Sequence, residues 1–183
     1  LVSLNPKTLQ RWETGSTTPA EDQLAPLADQ LRVLPDFFFS PEIEVIPDDA
    51  VSFRALTKMT AAERDGATAS GRLGVEFMRW VETIFALPAN SVPTLTGWEP
   101  EVAAEAVHER WNLGSGPIRQ LLPVCELHGI RVMSLAPDYH NVDAFSFYDK
   151  GTPFVFLNTT KTAERLRFDL AHELGHLIMH GEY

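Results

Sequence analysis

Cysteine is almost missing: Cys125 is the single thiol in 183 residues. That excludes an internal disulfide framework and makes a reducing cytoplasm the expected compartment. Long apolar runs are missing too. None approaches the roughly 18 residues of a membrane span, and the opening Leu1–Pro6 stretch has neither the basic nor the apolar region of a secretory leader. Cations are scarce, with 15 Lys and Arg against 25 Asp and Glu for a net charge of −10. This balance excludes general attraction to nucleic acid or anionic membrane, although a few well-placed cations suffice for local DNA contact. An initial Met is also lacking, and the chain stops at Tyr183, seven residues after His176, so truncation at both ends is the expectation. What remains is 44% apolar and 22% charged, the balance of a folded globular chain.

Residues 1–40 read as short helices. Asn5-Pro6 is a helix start, with Asn as N-cap and Pro at the first helical position. Leu9 and Trp12 share a face, and Gly15 ends the helix. Thr18-Pro19 with Glu21 reads as a second start, followed by the stripe Leu24, Leu27, Ala28 and Leu31. Residues 41–56 read as a linker with one short strand. Thr60 to Glu63 is a capping box opening a helix to about Leu87, whose stripe is Leu73, Phe77, Trp80, Val81 and Ile84. Phe77, Trp80 and Phe85 are expected in a core or interface. Pro100 and Pro117 each mark a further helix start. The period then changes to two: residues 130–135, 142–148 and 152–157 alternate, the last two across Asp149-Lys150-Gly151, which predicts a strand and a β-hairpin. A final helix starts among Thr159 to Thr162. The fold class is therefore α+β: mostly helical, with a small antiparallel sheet packed against the last helix and an all-α segment at the N-terminus.

That last helix carries the chemistry. His172-Glu173-Leu174-Gly175-His176 places two imidazoles four residues apart, on one face and about 6 Å apart along the axis. Two such rings can converge on one zinc ion, with Zn–N near 2.0–2.1 Å. Glu173, rotated about 100° from His172, has the position of the acid/base in the H-E-x-x-H arrangement. Zinc would lower the pKa of water towards 7, and Glu173 would take the proton and pass it to the leaving amine. Gly175 costs helix stability, about 1 kcal/mol against Ala, which suggests a close approach there. The competing reading is a chance pentapeptide on an ordinary amphipathic helix, and the flanking Leu170, Leu174, Leu177 and Ile178 weigh against it.

A third ligand is not evident. His180 lies about 12 Å along the axis from His172, too far to share an ion, and suits the helix C-terminus. A turn back of the chain would want Gly at 179 and His at 182, where Met179 and Glu182 stand, so Glu182 is a poor ligand. His140 is a distant candidate that reads better as a surface histidine. The remaining option is an acid beyond residue 183, as in gluzincin-like sites. Asp169 could orient His172 but reads better as an exposed acid in the first part of the helix. Strand 152–157 could pair with an extended peptide if it is an edge, and could equally be internal. Cys125 reads as a small core residue, not a nucleophile.

In the N-terminal segment, Lys7, Thr8, Gln10 and Arg11 would face DNA while Leu9 and Trp12 face in, as on a recognition helix. A solvated face on a small bundle is the plainer alternative.

Residues 130–180, with Asn158, Arg165 to Phe168, Ala171 and His172 to His180, resemble the ImmA/IrrE group of zinc-dependent metallopeptidases. Residues 1–40 resemble an incomplete XRE (Cro/repressor-type) helix-turn-helix, through Thr8 to Gly15 and Pro19. The domain reading that follows is 1–40 helix-turn-helix, 41–56 linker, and 57–183 metallopeptidase domain. The resemblance implies Zn2+ held by His172 and His176, Glu173 as catalytic acid/base, and a downstream Glu as third ligand. It implies a cytoplasmic bacterial or phage regulator that cleaves a repressor or other regulatory protein, with DNA contact through the complete helix-turn-helix, no membrane, and homodimerisation allowed. The alternative is a DNA-binding transcriptional regulator whose peptidase-like domain serves as a non-catalytic sensor or dimerisation module.

Overall fold

The computed structural model describes residues 5–41, 52–54, 60–136 and 141–181. The chain divides into two compact units, residues 1–43 and 44–183. In the first, α1 (Pro6–Glu13) starts where Asn5 accepts a hydrogen bond from the Lys7 N–H. Helix α2 (Glu21–Leu31) begins later than the Thr18 signal suggests. Its N-cap is Ala20, whose N–H donates to the Gln23 side chain. Leu24 and Ala28 are buried, but Leu31 of the expected stripe is exposed. A 3-10 turn, Pro35–Phe39, follows.

The second unit is built on a sheet of β1 (Ser52–Arg54), β2 (Arg131–Ser134), β3 (Ala144–Asp149) and β4 (Thr152–Leu157), in the order β1-β3-β4-β2. The hairpin β3–β4 is antiparallel, as its turn predicts, with Lys150 and Gly151 at positive φ. The sheet as a whole is mixed, not antiparallel, because β2 runs parallel to β4. Alternation reports which face a residue occupies but not which neighbour its strand takes, so the sequence could not show this. It also makes β4 internal, which rules out adding a peptide at residues 152–157.

Each sheet face carries its own core, as the two-residue period requires. One face presents Phe145, Phe147, Phe154 and Phe156, which stack across the hairpin; Phe145 and Phe156 are register partners with centroids 4.9 Å apart. Helix α3 (Ala61–Ile84), opened by the Thr60–Glu63 capping box, covers this face with Ala67, Gly71, Gly74 and Val75. The glycines permit the approach: a Cβ on Gly74 would lie 2.7 Å from the Phe156 ring. The large stripe of α3 therefore points the other way. Leu73, Phe77, Trp80 and Ile84 are exposed, as is Phe85, so of the expected core or interface it is the core that these residues do not form. Size misled here, since contact with a phenylalanine-covered sheet favours the smallest side chains.

The other face carries Ala144, Val155 and Leu157, under α4 (Pro100–Arg110), α5 (Leu121–Leu127) and α6 (Ala163–Met179). Helix α5 starts at Leu121, not Pro117. Cys125 is fully buried in this core, and burial pushes its thiol up to about 12, in line with a packing role.

Candidate functional site

The start of α6 is locked to the sheet by a polar network. Asn158 is buried; its side chain donates to the Val142 carbonyl and accepts from the Thr160 N–H and hydroxyl. Thr162 caps the helix by accepting from the Arg165 N–H. Asp143, just before β3, receives Lys161 and Arg165, the latter at 2.7 Å. Burial raises the Asp143 carboxyl, but these hydrogen bonds and charges outweigh it and hold the group below the ordinary carboxylate range. Arg165 also reaches Asp169 at 3.2 Å. Asp169 is not the exposed acid expected: it is 0% exposed, turned against the sheet side of α6. The far end of the helix is held as well. Tyr148 on β3 donates its hydroxyl to the Leu177 carbonyl at 3.1 Å, and the Leu95 N–H donates to the Ile178 carbonyl at 2.7 Å. These bonds satisfy carbonyls that a helix end leaves open.

Between these clamps lie His172, Glu173 and His176. The imidazole Nε2 atoms of His172 and His176 stand 3.1 Å apart, with ring planes at 81°. Two nitrogens bound to one tetrahedral ion at 2.0–2.1 Å would stand about 3.3–3.4 Å apart. The pair therefore fits a shared metal to within a few tenths of an ångström, and its side of the helix is open to solvent, most so at His172. The His180 ring lies 5.1 Å from that of His176, centroid to centroid. Among the described residues no group of three metal-binding side chains is present. His140 and Glu182 lie outside the described residues.

Glu173 sits one position round the helix and points inward. It is 0% exposed, and Ser146 of β3 donates its hydroxyl to Oε2 at 2.6 Å. Sequence reasoning missed Ser146. A signal existed, however: Ser146 alternates with Phe145 and Phe147 and so shares the inward face with Ala144 and Tyr148, a polar residue on an otherwise apolar surface. Gly175 does not mark a close approach, since nothing lies within 4 Å of a Cβ built there. It lines an apolar groove of about 330 Å³ with Ala171, Leu174, Val107 and Trp111.

In the N-terminal unit, Lys7, Gln10 and Arg11 are exposed on α1 while Thr8, Leu9 and Trp12 are half-buried. Leu9 and Trp12 face Leu24, Leu27 and Phe38 across an apolar cavity.

No helix among the described residues is long and apolar enough to cross a membrane. No curated protein and no solved structure matches the chain. Residues 125–183, which contain β2 to β4 and the whole of α6, match the model of the IrrE N-terminal-like domain family, Peptidase_M78, whose members are generally metal-dependent peptidases.

Proposed function

We propose that the unit of residues 44–183 is a zinc-dependent peptidase domain of a regulatory protein, and that its substrate is a repressor or related regulator. The reading is supported above all by the convergence of His172 Nε2 and His176 Nε2 at 3.1 Å on the helix that buries Glu173. In this reading His172 and His176 hold the ion, and the third ligand is an acid beyond residue 183. Zinc, when bound, supplies Lewis acidity to a scissile carbonyl and brings the pKa of a water towards 7. Ser146 donates to Oε2 and so fixes the orientation of the Glu173 carboxylate, the group that in this reading takes the proton of the attacking water. Glu173 then delivers that proton to the leaving amine nitrogen, a general acid/base contribution of about 10²–10⁴-fold. The clamps at both ends of α6 fix the helix segment that carries both histidines, which lowers the ordering cost of binding.

Zinc titration of the chain tests the metal part. Binding should be lost in His172→Ala and in His176→Ala and retained in Glu173→Gln; binding unchanged by both histidine substitutions would refute it. The catalytic part fails if a Glu173→Gln protein still cleaves the partner repressor as the parent does.

The DNA-binding alternative draws on a separate observation, the exposed Lys7, Gln10 and Arg11 along one short helix. It expects sequence-selective binding that weakens steeply with salt and falls on Arg11→Ala. A salt-independent or sequence-blind response would end it.

A further inference from the structure

Helix α3 carries a second apolar face that the described residues of its own unit leave exposed. On a 100° helical wheel, positions 62, 66, 69, 73, 77, 80 and 84 fall within about 80° of arc. They are Ala62, Gly66, Ala69, Leu73, Phe77, Trp80 and Ile84, with no polar residue among them. The face that meets the sheet, Ala67, Gly71, Gly74 and Val75, lies on the far side of the same helix. The larger members of the stripe are open to solvent: Leu73 at 50%, Phe77 at 51%, Trp80 at 58% and Ile84 at 56%. Phe77 and Trp80 already pack on each other, with ring centroids 5.9 Å apart.

We infer that this stripe is the interface of a two-fold symmetric dimer in which α3 packs antiparallel on α3 of a second copy. Three features select that occupant. Spacing is the first: steps of four and three residues are those by which one helix seats its side chains between those of another. Shape is the second. The stripe is small over residues 62–69 and large over residues 73–84, so only an antiparallel copy sets the large half of each helix over the small half of the other. The two-fold axis then passes near Arg72 and Leu73, bringing Phe77 and Trp80 above the partner's Ala69 and Gly66. A parallel pair would stack Trp80 on Trp80 and leave a gap along the small half. Area is the third. The four large side chains expose roughly 400 Å² per copy, well above scattered surface residues. A pair covering both halves of this 24-residue helix, about 36 Å long, removes on the order of 1,000 Å² in total, the lower bound of a specific interface.

The test uses the 183-residue chain. Light scattering on a sizing column over a dilution series should give the mass of two chains, falling to one in Phe77→Glu and in Trp80→Glu. Circular dichroism of both variants should match the parent, because the exposed rings support no core. For register, Ala69→Cys and Glu76→Cys proteins mixed and oxidised should cross-link to each other faster than either does to itself. Cys125 is too buried to interfere. A single-chain mass at every concentration, a dimer indifferent to both glutamates, or preferential Ala69→Cys self-linking would each overturn the proposal.

Discussion

Substituting alanine for Gly74 and for Gly175 should move stability in opposite directions, though both are helical glycines. Propensity alone favours alanine by about 1 kcal/mol at each site. At Gly175 nothing lies within 4 Å of the added Cβ, so that gain should appear nearly whole. At Gly74 the Cβ would lie 2.7 and 2.8 Å from Cε1 and Cζ of Phe156 and 3.0 Å from the Met133 sulfur. Met133 can swing aside. Phe156 cannot, because it is 1% exposed and stacked among Phe145, Phe147 and Phe154. Either the ring leaves its rotamer or α3 lifts from the sheet, at a cost of about 2–3 kcal/mol for such overpacking. Subtracting the propensity gain leaves Gly74→Ala about 1–2 kcal/mol less stable than the parent. The two variants should then differ by about 2–3 kcal/mol. Urea unfolding followed by circular dichroism reads this as a lower midpoint for Gly74→Ala and a higher one for Gly175→Ala, with slopes unchanged. A Gly74→Ala protein as stable as the parent would refute the close contact of helix and sheet, and a destabilised Gly175→Ala would refute the open surroundings assigned to that residue.

Ser146→Ala should cost about 1–3 kcal/mol by removing a buried donor from Glu173, and the double variant Ser146→Ala/Glu173→Leu should recover part of that loss. Additive losses in the double-mutant cycle would show that the two do not interact. Burial also lowers the pKa of His128, which stacks on Trp111 at 4.1 Å, below the ordinary 6.5. The unfolded chain therefore takes up more protons near and below that pH, so this contribution to stability is full above pH 6.5 and is lost as pH falls below it. His128→Phe keeps the stack and should flatten the parent's loss of melting temperature in that acid range; parallel pH profiles would reject this account.

Much of the local structure was legible in the sequence. Thr60 and Glu63 announced α3, Asp149 to Gly151 announced the hairpin turn, and Thr162 was among the candidate starts of α6, because caps and turns are decided by residues close in the chain. The histidine pair was legible for the same reason: four residues on a helix make one turn, whatever surrounds it. Other features depend on what lies across an interface. The α3 face chosen for burial was set by the Phe145 and Phe156 rings of a distant hairpin. The parallel neighbour of β4 was set by a strand some twenty residues earlier, which period two cannot identify. Asp169 read as exposed because its i,i+4 partner Arg165 is compatible with a solvated helix face, and its burial comes only with the docking of α6. Ser146 became part of the site through a contact spanning 27 residues. Spacing along the chain thus determined that two imidazoles would share a helix face, whereas only the docking of that helix on β3 decided that the carboxylate between them would be buried and held by a serine.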